Sequence, residues 1–139
     1  MTDEIRVVIS SDVDMVPARQ KGRQLAAEMG FSRTDATLIA TAISEIARNI
    51  IIHVGKGEIL LTPVREKERE GIVVVARDTG PGISDVTAAM QDGRGTGLGL
   101  GLPGSRRLMD EFEIESEVGG GTTVTMKKWK TSRLRPRRG

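Results

Sequence analysis

Glu45 and Asn49 stand four residues apart in a stretch, Arg33 to His53, that reads as one long helix, so a carboxylate and an amide fall one turn apart. At about 100° per residue they share a side with Leu38, Ala42 and Ile52, opposite the apolar stripe Ala36, Ile39, Ala40, Ile43, Ile46, Ala47 and Ile50. A solvated helix face normally carries Lys, Glu and Arg. This one is small and apolar around one acid and one amide, as the floor of a cavity would be. The alternative is an i,i+4 surface pair of little energetic weight.

Asp78-Thr79-Gly80-Pro81-Gly82 follows directly from an apolar run. An Asp at a strand end offers an acceptor-only carboxylate to whatever sits beside the sheet, and the glycines let the backbone approach that object closely. A turn of this form needs no ligand when it stands alone. It does not stand alone: from Gly80 to Gly104 eight of 25 residues are glycine, against an ordinary share of roughly 7%. Gly93 to Gly104 alternates glycine with larger residues and then opens a helix, which makes an amide cradle suited to phosphate. No G-x-x-x-x-G-K-[ST] is present, so the loop is not of the Walker type. Gly99, Gly101 and Gly104 spell G-x-G-x-x-G, but the strand that a dinucleotide fold needs just before it is missing. A ligand-free loop is the other reading, at an entropic cost that grows with every glycine.

Composition removes several classes. The 139 residues make one domain with a core large enough to need no covalent staples. With no cysteine there is no disulfide framework, thiolate metal site or cysteine nucleophile. A single histidine, His53, leaves nothing for a His-rich metal centre, and beside Gly55 it suits a helix C-terminal cap. Aromatic residues amount to 2% (Phe31, Phe112 and Trp129), which argues against a base-stacking nucleic-acid platform. No apolar run approaches the roughly 18 to 20 residues of a membrane span, and the opening MTDEIRVV has no basic n-region. A soluble, cytoplasmic domain is expected, with neither nucleic acid nor membrane as partner.

The net charge of +2 hides an asymmetry. Residues Lys130 to Gly139 hold five basic groups and no acid, which leaves 16 basic against 19 acidic in the body, a balance of −3. The expected division is a domain over 1–129 and a basic tail over 130–139, which could hold an acidic partner or a polyanion, or simply be a solvated terminus.

The elements that must position these residues are legible in outline. Ile5 to Ile9 reads as a strand. Asp14 as N-cap and Pro17 in the first turn open a helix whose buried face is Ala18, Gly22, Leu25, Ala26 and Met29, ended by Gly30. Ser32 with Asp35 three residues on resembles a capping box before the long helix. Glu58 to Pro63 and Ile72 to Ala76 form a hairpin across a charged turn, Arg65 to Gly71. A short helix runs from Pro103 to Glu111, and Phe112 to Val118 with Thr122 to Trp129 makes a last hairpin. The fold class is α+β: a two-layer sandwich with helices on one face of a mixed sheet.

The order E-x-x-x-N, D-x-G-x-G, G-T-G-L-G-L-G, G-G-G-T spans nearly the whole chain. It resembles the GHKL superfamily, the Bergerat-type ATP-binding fold with a mostly antiparallel sheet, shared by gyrases, Hsp90-type chaperones, mismatch-repair ATPases, histidine kinases and anti-sigma-factor kinases. Within it, A-I-S-E-I-A-R-N-I from Ala42 and G-L-P-G-S-R-R-L-M-D-E-F from Gly101 look like the serine/threonine switch kinases of the bacterial stressosome, RsbT-type. The resemblance implies ATP and Mg²⁺ as cofactors. Asn49 would hold the metal, Glu45 would be general base, and Asp78 would accept the adenine amine with Thr122 beside it. Gly80 and Gly82 would let the chain pass the base, Gly97, Gly99 and Gly101 would line the phosphates, and Ser84 to Thr96 would be the lid. A cation near the γ-phosphate is still needed; Arg48, Arg94, Arg106 and Arg107 are candidates.

The implied partners are STAS-domain scaffold or antagonist proteins as substrates and a PP2C-type phosphatase activated by the released kinase. Two further readings stay open: an anti-sigma-factor kinase that binds a sigma factor directly, and a non-enzymatic module that uses nucleotide only to set its shape.

Overall fold

The computed structural model describes residues 4–80 and 101–130. In chain order these form β1 (Ile5–Ile9), a 3-10 turn (Asp12–Asp14), α1 (Met15–Glu28), α2 (Arg33–His53), β2 (Gly57–Glu66), β3 (Arg69–Asp78), α3 (Gly101–Leu108), β4 (Glu111–Glu117) and β5 (Gly121–Trp129). The strands lie in the order β1-β2-β3-β5-β4, and all four pairings are antiparallel. The two-layer α+β architecture is as expected; the parallel pair that a mixed sheet implies is not found among the described residues.

Alternation fixes which face of the sheet is covered. Val7 and Ile9, Ile59 and Leu61, Ile72, Val74 and Ala76, and Val124 and Met126 point to one side. They share a single core with the helices; the whole α2 stripe from Ala36 to Ile50 is buried, and all of it but Ala40 lies in that core. Gly22 is where α1 approaches α2, because a Cβ there would enter the space of the Ile43 side chain.

The opposite face carries charge. Glu58 accepts from both Arg6 and Arg77, and those two guanidinium groups hold its carboxyl below the ordinary carboxylate range. At the far end the Arg69 guanidinium lies 3.9 Å from the Trp129 ring centroid, and the indole N–H donates to Glu111 at 2.7 Å.

Local chemistry moved several boundaries. Ser32 caps α2 as expected, its hydroxyl accepting from the Asp35 amide at 3.0 Å. Asp14 sits at the N-cap position of α1, yet its carboxylate turns back to the amides of Ser10 and Ser11 at 2.8 and 3.1 Å, which lowers its pKa. The charged segment read as a turn over Arg65 to Gly71 is mostly strand: Glu66 pairs with Arg69, leaving a two-residue turn in which Lys67 takes φ 56°. Alternating charges there serve the strand ends, with Arg69 bridging Glu66 and Glu111. The short helix starts at Gly101 rather than Pro103 and stops at Leu108. It stops because Asp110 accepts from the Trp129 amide at 2.8 Å and Glu111 already pairs with Lys127. Lys130, assigned to the tail by composition, donates from its backbone to the Glu70 carbonyl at 2.8 Å and from Nζ to the Glu70 carboxylate at 3.1 Å.

Candidate functional site

Glu45 and Asn49 lie one turn apart on α2, as read from spacing, and both are half-buried rather than bathed in water. The rest of that face departs from the expectation. Ile52 is 48% exposed, whereas Ala42 is fully buried, because α3 packs there and Ser105 donates its hydroxyl towards the Ala42 carbonyl at 3.5 Å. The cavity floor is therefore narrower than five residues. Ser105 is itself fully buried, a residue that spacing alone gave no reason to single out.

The last turns of α2 meet the end of β3. A Cβ on Gly80 would lie 2.7 Å from a Val54 methyl, and one on Gly57 would lie 3.0 Å from an Ile50 methyl and 3.3 Å from the Asp78 Cβ. Gly80 is thus required by the close passage of Val54, the residue that follows α2, while Asp78 stands at the seam between helix and sheet.

Asp78 is half-buried, and one carboxylate oxygen accepts the Gly80 amide at 2.9 Å. That bond fixes the side chain's rotation and leaves the second oxygen for another donor. Directly across the ladder is Thr122, only 7% exposed, and across from Thr122 is Ser116. Because Ala76 and Val124, two residues back on each strand, belong to the core, these three side chains share the helix-facing side. The Ser116 and Thr122 hydroxyl oxygens are 2.8 Å apart, and Ser116 donates to the Gly121 carbonyl at 3.2 Å. The result is a short polar row, Asp78–Thr122–Ser116, at the end of an otherwise apolar sheet face. Its place after an apolar run picked out Asp78, and the family resemblance picked out Thr122. Ser116 was missed because only the register brings it beside Thr122.

Gly82, Gly97, Gly99, Arg94 and the segment Ser84 to Thr96 lie outside the described residues, and Gly101 is the first residue of α3. Of the other cations proposed for phosphate, Arg107 donates to the Pro103 carbonyl at 3.2 Å along its own helix, and Arg106 is exposed. Arg48 differs: its Nε is buried without a hydrogen-bond partner.

Among the described residues no three His, Cys, Asp or Glu side chains gather as a metal cluster. Mg²⁺ asks for none, since it is usually held by one or two protein oxygens together with phosphates and waters. The amide oxygen of Asn49 suits that habit.

The histidine kinase-like ATPase domain model matches residues 9–128, which hold most of the described sheet and the three described α-helices. The chain belongs to that family. The serine/threonine-protein kinase RsbT of Bacillus subtilis (strain 168) is 47% identical over 131 residues, 93% of this chain and 98% of that protein. The anti-sigma F factor of Caldanaerobacter subterraneus subsp. tengcongensis is 35% identical over 118 residues, covering 81% of this chain and 82% of that one. A Geobacillus thermodenitrificans anti-sigma F factor is 34% identical over 121 residues, 80% of this chain and 81% of that one. The resemblance to the GHKL superfamily is thus matched by family and by relatives, and the chain is a kinase-type regulator. Among the described residues no helix is long and apolar enough to cross a membrane.

Proposed function

We propose that this chain is an ATP- and Mg²⁺-dependent serine/threonine-protein kinase of the cytoplasm, acting on STAS-domain stressosome proteins and, once released from them, activating a PP2C-type phosphatase. The observation that carries the nucleotide site is the Asp78 carboxylate, held by the Gly80 amide and facing buried Thr122 where α2 meets the sheet. The similarity to a serine/threonine-protein kinase over nearly both chains supports the choice of reaction.

Each residue has a stated task. Asp78 accepts the exocyclic amine of the base through the oxygen that Gly80 leaves open, and Thr122 offers a second polar atom beside it. Asn49 would supply a hard oxygen to the metal. The first amides of α3, starting at Gly101, would donate to the phosphates. The bound nucleotide with its Mg²⁺ supplies the transferable phosphoryl group and offsets its charge. Glu45 would take the proton of the incoming serine or threonine hydroxyl as its oxygen bonds to the γ-phosphorus and the bond from that phosphorus to the β,γ-bridging oxygen breaks, releasing ADP; the proton then passes to solvent. The domain then contributes mainly positioning, which is most of what phosphoryl transfer asks of a protein.

Incubation with γ-labelled ATP, Mg²⁺ and candidate STAS proteins tests the reading. Label on a STAS serine or threonine is the expected result; nucleotide binding without any transfer would leave a binding module instead. The similarity to anti-sigma F factors supports a second reading, a kinase that holds a sigma factor directly. Retention of sigma factors on the immobilised chain, with no phosphorylation of STAS proteins, would favour it.

A further inference from the structure

We infer that Ser116 is a positioning residue that sets base specificity, by fixing the direction of the Thr122 hydroxyl so that the Asp78–Thr122 pair presents hydrogen-bond acceptors only. The inference rests on the proposed nucleotide site and deepens it.

A serine hydroxyl has one proton and two lone-pair positions. The Ser116 proton is directed at the Gly121 carbonyl, 3.2 Å away. Either oxygen of the 2.8 Å contact between Ser116 and Thr122 can donate; with the Ser116 proton on the Gly121 carbonyl, Thr122 donates and Ser116 accepts. Thr122 has spent its only proton and keeps lone pairs alone for whatever lies beside it. Its neighbour across the ladder, Asp78, is a carboxylate and likewise has nothing to donate, its other oxygen being committed to the Gly80 amide. Two adjacent acceptors on one side of a pocket suit a ligand edge that carries N–H groups, such as the exocyclic amine of a 6-aminopurine. A 6-oxopurine would set a carbonyl oxygen against them, leaving buried acceptors unpaired on both sides, and sites of this kind discriminate strongly.

Ser116 reaches this role without touching the base. It lies on β4 beyond Thr122, in the third position of the row, and acts through the hydroxyl it receives. Gly121 completes the relay, since its carbonyl is what draws the Ser116 proton away from Thr122.

The test measures dissociation constants of ADP and of inosine diphosphate, which differ in the purine ring only at the 6-position and its adjoining N1 proton. Ser116→Ala releases the Thr122 proton, which can then turn to a 6-oxo group. The ADP preference over inosine diphosphate should narrow about two- to tenfold, the worth of one neutral hydrogen bond. Ser116→Thr, which keeps a hydroxyl, should restore the preference. Urea unfolding of each variant separates specificity from folding, since a merely structural serine would weaken both ligands alike. An unchanged ratio in Ser116→Ala, with ADP still bound, overturns the inference, as does equal loss of both ligands. Failure of the unaltered protein to bind either diphosphate would instead overturn the nucleotide site itself.

Discussion

Gly119 and Gly121 flank one tight turn and carry nearly the same backbone angle, φ 81° and 89°, so substituting each with alanine is a matched experiment on the nucleotide site. Both replacements force an L side chain into the left-handed region, at roughly 1–2 kcal/mol, less the roughly 0.4–1 kcal/mol gained by restricting the unfolded chain. At Gly119 that is all, since a Cβ there would meet nothing within 4 Å. At Gly121 a Cβ would fall inside the Asp78 carbonyl oxygen, with the Thr79 Cα at 2.9 Å and the Asp78 carbonyl carbon at 3.1 Å. These are backbone atoms, so no rotamer change relieves the overlap, and β5 must move away from β3 at the row where Asp78 faces Thr122. Overpacking of this kind adds about 1–3 kcal/mol. Gly119→Ala should therefore lose about 1 kcal/mol in urea unfolding and bind ADP as the unaltered protein does. Gly121→Ala should lose about 2–4 kcal/mol by the same sum and bind ADP more weakly at temperatures where it remains folded. Equal destabilisation by the two variants, or unchanged ADP affinity in Gly121→Ala, would refute the account of how β3 and β5 hold Asp78 against Thr122.

Asp78→Asn keeps one acceptor but must share it between Gly80 and the ligand, so titration should find ADP about 10- to 150-fold weaker, equivalent to about 1.5–3 kcal/mol for a charge-assisted bond. Glu45→Ala should leave that affinity intact while transfer to a STAS protein falls about 10²- to 10⁴-fold, and parallel loss of ADP binding in both variants would contradict the division of roles. On the outer face, Glu58 has its pKa lowered by Arg6 and Arg77, so its stabilising contribution is full above the ordinary carboxylate value and is lost as pH falls through the folded one. Melting temperatures followed downward from neutral pH should accordingly fall more steeply for the unaltered protein than for Glu58→Gln. In the core, Gly22→Ala should destabilise by overpacking against the Ile43 terminal methyl, and Ile43→Val, which deletes that methyl, should rescue it in a double-mutant cycle of about 1–3 kcal/mol read by urea unfolding.

The sequence by itself determined the elements that repeat with a period. The 3.6-residue stripe of α2, the Ser32 cap and the final hairpin across Gly119 to Gly121 stand where spacing put them, because local periodicity and turn chemistry act over a few residues. Glu45, Asn49 and Asp78 could be singled out from local pattern too, whereas Thr122 came only with the family resemblance. Charge patterns were less transparent: the run from Arg65 to Gly71 looks like a turn until Glu66 meets Arg69 across the ladder. Only the tertiary structure decided that β5 lies between β3 and β4, that α3 buries Ala42 under Ser105, and that Ser116 touches Thr122. Alternation along Glu-Ile-Glu-Ser tells which face a side chain takes but not its neighbour on the next strand. That neighbour depends on register and strand order, which are settled by the packing of the whole core and leave no mark on any short stretch of chain.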